Sequence, residues 1–103
     1  MDREIWQWAE TQARLYQVLT NPRRLLILLA LAEREMSVGE IAAVAGTSLQ
    51  NTSQHLHLMK DRGLIESRRD GQTIYYSVAD RKLLSSIGLA ACDKNPYILL
   101  KNW

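Results

Sequence analysis

Residues 37–63 read SVGEIAAVAGTSLQNTSQHLHLMKDRG, with two helix starts and two helix stops in one short stretch. Ser37 and Glu40 stand at capping-box spacing, where a serine oxygen and a carboxylate satisfy each other's free backbone amides. A short helix follows, with Ile41, Ala42, Val44 and Ala45 turned inward, and it stops at Gly46. Thr47 or Ser48 caps the next helix, which runs to Arg62 and closes at Gly63, with Leu64 placed for the apolar half of a Schellman ending. Two short helices joined by Gly46-Thr47-Ser48 make a helix-turn-helix. The second helix divides its faces: Leu49, Thr52, Ser53, Leu56 and Met59 pack inward, and Gln50, Asn51, Gln54, His57 and Asp61 lie outside. Amides and hydroxyls on its N-terminal turns suit base edges in a major groove, since Gln or Asn can bond twice to adenine. Thr47 and Ser48, beside the free amides of the helix start, suit a phosphate, and the Ser53 hydroxyl is a further candidate contact. Such a face, alone, is equally compatible with plain solvation.

The flanking sequence changes that balance. Ile65 to Arg69 and Gln72 to Val78 read as strands, rich in Ile, Tyr, Thr and Val. Asp70-Gly71 between them predicts a two-residue type I′ hairpin with positive φ at both positions. Arg68 and Arg69 before the tip, with Gln72 and Thr73 after it, place guanidiniums on a stiff arm that can reach a phosphate or a minor groove. Upstream, Ile5, Trp8, Ala9, Gln12, Leu15, Tyr16 and Leu19 follow the three-four spacing of an amphipathic helix over residues 3–19. Asn21-Pro22 ends it and starts a helix to about Glu33 that is apolar nearly all round, the central core helix. Asp80 caps a last helix from Arg81 to about Lys94, broken at Asn95-Pro96, and the apolar tail 97–103 calls for cover.

A chain of 103 residues has room for one domain. Its net charge of +2 says little about nucleic acid, because the placement of positive side chains matters more than their sum. The single cysteine, Cys92, excludes an internal disulfide framework and a cysteine-cluster zinc site within one subunit. The charged start, Met1-Asp2-Arg3-Glu4, is unlike a secretory signal. The longest apolar run, Leu25 to Ala32, falls far short of the roughly 20 residues that cross a bilayer. A cytoplasmic protein with no membrane partner is expected. No glycine-rich phosphate loop, paired carboxylates or nucleophile with a base is found, so no enzyme is expected.

Asn21-Pro22-Arg23-Arg24-Leu25, Ser37-Val38-Gly39-Glu40-Ile41, Thr52-Ser53-Gln54-His55-Leu56 and Gly63-Leu64-Ile65 through Tyr75-Tyr76 resemble the ArsR/SmtB repressors in order and spacing, over roughly residues 12–84. The resemblance implies a mainly α winged helix-turn-helix, with five helices and a small two-stranded wing. One domain then spans 1–103, with the helix-turn-helix at 37–62, the wing at 65–78, and dimerisation segments at 3–19 and 81–103. It implies a homodimer whose recognition helices enter successive major grooves of an inverted repeat, and an inducer that releases the DNA. Trp6, Trp8, Leu15 and Leu19, with Leu84, Ile87, Gly88 and Ala91, are available for the dimer interface. The small residues Ser85, Gly88 and Ala91 permit close helix approach.

Many proteins of that family sense metals. One of their sites needs Cys-x-Cys in the third helix, and the matching positions are Ala42 and Val44. The other falls on Asp80, Lys82, Asp93 and Pro96, short of the four donors that tetrahedral zinc takes. His55 and His57 are about 200° apart around a helix and cannot share an ion. His57 belongs with the DNA face and His55 with a hydrogen-bonded structural role. No metal and no cofactor is expected. Cys92 is either a buried inert thiol or a redox sensor, although thiol-sensing relatives use two cysteines. Trp6, Trp8, Tyr97 and Trp103 either pack or line a pocket for an organic inducer. The competing reading of the whole is a winged-helix module that binds protein and not specific DNA.

Overall fold

Local capping chemistry sets most element boundaries in the computed structural model, which describes residues 2–86. The order is α1 (Arg3–Val18), α2 (Pro22–Glu33), β1 (Met36–Ser37), α3 (Val38–Ala45), α4 (Leu49–Asp61), β2 (Ile65–Asp70), β3 (Thr73–Val78) and α5 (Arg81–Ser86). Asn21 Oδ1 accepts the amides of Arg23 at 2.9 Å and Arg24 at 3.4 Å, and Pro22 opens α2, where a missing N–H costs nothing. Ser37 and Glu40 form both bonds of the expected capping box, at 3.3 and 3.1 Å. Gly46 ends α3 with φ at +65°, a left-handed conformation that a side chain with a Cβ resists. Ser48, not Thr47, caps α4, its Oγ accepting the Asn51 amide at 3.0 Å. At the far end the Gly63 amide bonds Lys60 O and the Leu64 amide bonds Met59 O, both at 3.0 Å, which is the Schellman pattern.

The core gathers around α2. Ile27, Leu28, Leu29, Ala30 and Leu31 are buried in succession, as expected of a helix that is apolar on nearly every side. Met36, Ile41, Leu56, Met59, Leu64 and Ile65 close over it from α3, α4 and the sheet. Thr52 is the one polar side chain in this set, fully buried, and its Oγ1 has no hydrogen-bond partner among the described residues. An unpaired buried hydroxyl costs stability, and an apolar group of the same shape does not. Thr52→Val is therefore expected to raise the free energy of unfolding by about 1 kcal/mol. A urea melt checks this, and a loss of stability would show that the hydroxyl has a partner.

The sheet departs from expectation in two ways. It has three antiparallel strands, not two, in the order β1-β3-β2. The extra strand is only Met36–Ser37, pairing with Tyr76 and Tyr75; it joins the root of the wing to the start of α3. The hairpin register pairs Asp70 with Thr73, so the turn residues are Gly71 and Gln72. Only Gly71 has positive φ, +63°, which rules out the expected type I′ turn; glycine at the first central position is the type II′ preference.

Four helices of eight residues or more are described, where five full helices were expected. The fifth, α5, covers Arg81–Ser86, and the anticipated continuation to Lys94, the break at Asn95-Pro96 and the tail 97–103 lie outside the described residues. Arg81 Nη2 holds its start to Ala32 O at 3.1 Å, at the end of α2. Helix α1 meets the core through its C-terminal end, where Val18 is buried and Leu15 and Leu19 are half-buried. Ile5, Trp6 and Trp8 in its N-terminal half and Tyr16 near its C-terminal end are exposed, and Trp8 retains 65% of its surface.

Candidate nucleic-acid interface

Helix α4 is pinned from below by Thr52, Leu56 and Met59, and this fixes what it presents outward. Gln50, Asn51, Ser53, Gln54 and His57 are all exposed. Two residues expected inside are not there: Ser53 lies on the open face, and Leu49 is 58% exposed. Both sit in the first helical turn and a half, at the edges of the side that buries Thr52. The open face therefore carries one large apolar side chain among its amides, a type of contact suited to a thymine methyl.

Some polar groups on this face are already oriented. Asn51 Nδ2 donates to Thr47 Oγ1 at 3.2 Å, which leaves the asparagine carbonyl and one N–H for other partners. Ser48 Oγ is occupied as an acceptor by the helix cap, with its proton free to donate. His57 Nε2 lies 3.6 Å from Asp61, one turn on, with both side chains exposed. Lys60 Nζ donates to Ser67 Oγ at 2.8 Å and ties the end of α4 to β2.

At the wing, Arg69, Gln72 and Thr73 are exposed near the turn, and the Arg69 side chain makes no bond to another described side chain. Arg68 is engaged. Its Nη2 and Nε donate to the Glu35 carboxylate at 2.6 and 2.8 Å, and its guanidinium carbon lies 4.8 Å from the centre of the Tyr75 ring. That pairing lowers the pKa of Glu35 and raises that of Arg68. The sequence reading missed Glu35, because a contact across 33 positions leaves no local signal. It also missed Arg23, whose Nε donates to Ala45 O at 3.3 Å beside the turn between α3 and α4.

Among the described residues His55 makes no hydrogen bond, where one was expected. It is half-buried, and loss of solvent, followed by the charges of Arg24 and Arg23, pushes its pKa below the usual 6.5. The fold resists a proton that the unfolded chain accepts, so stability drops as pH falls through about 6.5. Glu35 and Glu40 have pKa values lowered from 4.5 by Arg68 and by the Ser37 amide respectively, so their stabilisation is lost only in a more acidic window. The thermal midpoint is thus expected to decline between pH 7 and pH 5, and less so in His55→Gln. Equal declines in the two proteins would contradict this assignment.

The dimer candidates are dispersed. Trp8 is open to solvent on the same stripe as Ile5 and Tyr16, and Trp6, also exposed, donates its indole N–H to Glu10 at 2.7 Å. Leu15 and Leu19 are partly used by the protomer's own core, and Leu84 is buried in it. Ile87, Gly88, Ala91 and Cys92 lie outside the described residues, as do Tyr97 and Trp103 of the anticipated inducer pocket. Among the described residues no three His, Cys, Asp or Glu side chains come together as a metal would require, and no helix is long and apolar enough to cross a membrane.

Comparison with known proteins agrees with this geometry. Residues 19–68 match a helix-turn-helix domain model. The HTH-type transcriptional regulator YgaV of Escherichia coli is 42% identical over 86% of this chain and 88% of its own length. The nodulation protein NolR of Rhizobium meliloti is 42% identical over 78% of this chain, which spans 66% of that protein. Among solved structures, the homodimeric winged helix-turn-helix DNA-binding domain Mb0332 of Mycobacterium bovis superposes with a TM-score of 0.75. It is 33% identical, over 88% of this chain and 87% of that one. Capped helix-turn-helix, exposed reading face, hairpin wing and relatives agree: the chain is a DNA-binding regulator of transcription and belongs to the ArsR/SmtB family of winged helix-turn-helix proteins.

Proposed function

We propose that the protein is a sequence-specific repressor that binds an inverted-repeat operator as a homodimer and is released by an inducer. The observation that carries this reading is the division of α4, an exposed row of amides and hydroxyls over a fully buried Thr52-Leu56-Met59 underside. A helix held so firmly from below presents its outer side chains in fixed positions, as base readout requires. Gln50, Asn51, Ser53 and Gln54 face base edges; Thr47, Ser48 and His57 flank them at the backbone; Arg69, Gln72 and Thr73 reach the neighbouring strand or groove. No catalytic role is proposed, and the protein acts in the cytoplasm, where the DNA is.

Dimerisation is supported by the exposed stripe of Ile5, Trp8 and Tyr16 on α1, which is large and apolar and finds no cover among the described residues. A partner's α1 stripe, with the segment 81–103 beside it, supplies that cover. Two copies then set their α4 helices about one duplex turn apart, roughly 34 Å. Footprinting on the DNA upstream of the chain's own reading frame, with sedimentation of the same sample, tests this. Two symmetric protected half-sites centred about 10 base pairs apart are expected, from a dimer. A monomer, or a single protected half-site, overturns the dimeric reading.

A further inference from the structure

Arg68 was expected at the DNA, yet its guanidinium points across the sheet. The strand order is β1-β3-β2, with Arg68 on β2 directly opposite Tyr75 on β3, and Glu35 immediately before β1. To meet Glu35, which reaches in from the far side of two strand spacings or roughly 10 Å, the side chain extends over β3. It does so over the face of the Tyr75 ring, 4.8 Å from its centre. The pairing with Glu35 is bidentate, the geometry in which a planar guanidinium holds a carboxylate most firmly. Asp70 Oδ2 adds a second acid at 3.9 Å from Nη1, and the Arg68 side chain as a whole keeps 55% of its surface exposed.

The other end of this contact is tied to the helix-turn-helix. Arg34, next to Glu35, donates from Nη1 to Glu40 Oε2 at 2.9 Å. Glu40 is the residue that closes the capping box of α3 with Ser37, and Ser37 is itself in β1. A short turn thus grips the first helix of the helix-turn-helix with one residue and the wing with the next.

We propose that Arg68 is a positioning residue, not a phosphate contact: with Glu35 and Tyr75 it forms a clasp that fixes the wing against the helix-turn-helix and so presents Arg69 to the DNA. The inference rests on the reading that the wing touches DNA. An unclasped wing samples more orientations, and apparent affinity drops by the fraction of time the wing is correctly placed.

The signs of the two possibilities are opposite. If Arg68 served the DNA directly, Glu35→Gln would remove an acid near the duplex and free the arginine, and binding would tighten. The clasp requires that the same change weaken binding. The test is fluorescence anisotropy with the upstream DNA over a range of salt, for Glu35→Gln, Arg68→Gln, the double variant and Arg69→Gln, with each thermal midpoint recorded. Glu35→Gln and Arg68→Gln are each expected to weaken binding about three- to fivefold, the upper range for an exposed ion pair. The double variant should be no worse than either single one. The salt slope stays at the wild-type value in both singles, whereas Arg69→Gln lowers it by about one. Tighter binding by Glu35→Gln, or a slope lowered by about one in Arg68→Gln, overturns the clasp and leaves the wing reading standing. An unchanged slope in Arg69→Gln overturns the wing reading and the clasp together, and leaves the α4 reading to its own test.

Discussion

Leu56→Ala is expected to lower the free energy of unfolding by about 2–5 kcal/mol, the range for truncating a large aliphatic side chain in a close-packed core. Leu56 is fully buried on the underside of α4, among Met59, Ile41 and the α2 core. Its Cγ and two methyl groups would be replaced by a void that the backbone of a capped helix cannot close. A domain of this size is stable by only about 5–15 kcal/mol in total, so one truncation removes a large share. Because the same side chain seats the reading helix, DNA binding should fall with the folded fraction, and both should recover together on cooling or on adding a stabilising osmolyte. Chemical denaturation followed by circular dichroism checks the magnitude. A loss below about 0.5 kcal/mol, the range of ordinary surface changes, would mean that α4 is not packed as described.

The second large effect is expected at the surface and leaves stability alone. Gln54 is exposed at the middle of the reading face, one helical turn beyond Gln50. Gln54→Ala should cost about 1–3 kcal/mol of specific binding, roughly five- to 150-fold, because one bidentate base contact disappears. Binding to unrelated DNA, carried by phosphates, should be unchanged, so the variant loses selectivity rather than general affinity. Base-by-base substitution of the operator would show relaxed preference at one position in each half-site. If Gln54→Ala weakens specific and unrelated DNA by the same factor, the side chain is not reading a base.

The parts of the fold that were legible in the sequence are those set by neighbours a few residues apart. Asn21-Pro22, Ser37 with Glu40, Ser48, Gly46 and Gly63-Leu64 each satisfy backbone groups within one helical turn, so residue type and spacing suffice to place them. The central helix announced itself through its unbroken apolar run. What was hidden depends on distant partners. Met36–Ser37 is too short to show any alternation, and it is a strand only because Tyr75 and Tyr76 lie beside it. Leu49 fits the inward periodicity of α4, but periodicity cannot tell that the core covers Thr52 and leaves Leu49 open. The hairpin shifted by one residue because Asp70 pairs with Thr73, and a turn of Gly71 and Gln72 is as acceptable to the strands as one of Asp70 and Gly71. Arg68 shows the limit most clearly: two adjacent arginines at a hairpin look equivalent in sequence, and Glu35 takes one of them.

The central claim is that the outer side of α4 and the wing tip form the surface that meets DNA. Amide chemical-shift mapping by NMR, with the upstream DNA titrated into isotopically labelled protein, addresses it residue by residue. The largest changes are expected at residues 47–57 and 69–73, with α1 from Ile5 to Tyr16 little affected. Largest changes on the α1 stripe, or in the groove of about 370 Å³ lined by Thr11, Gln12, Leu15 and Arg62, with residues 47–57 unmoved, would contradict it.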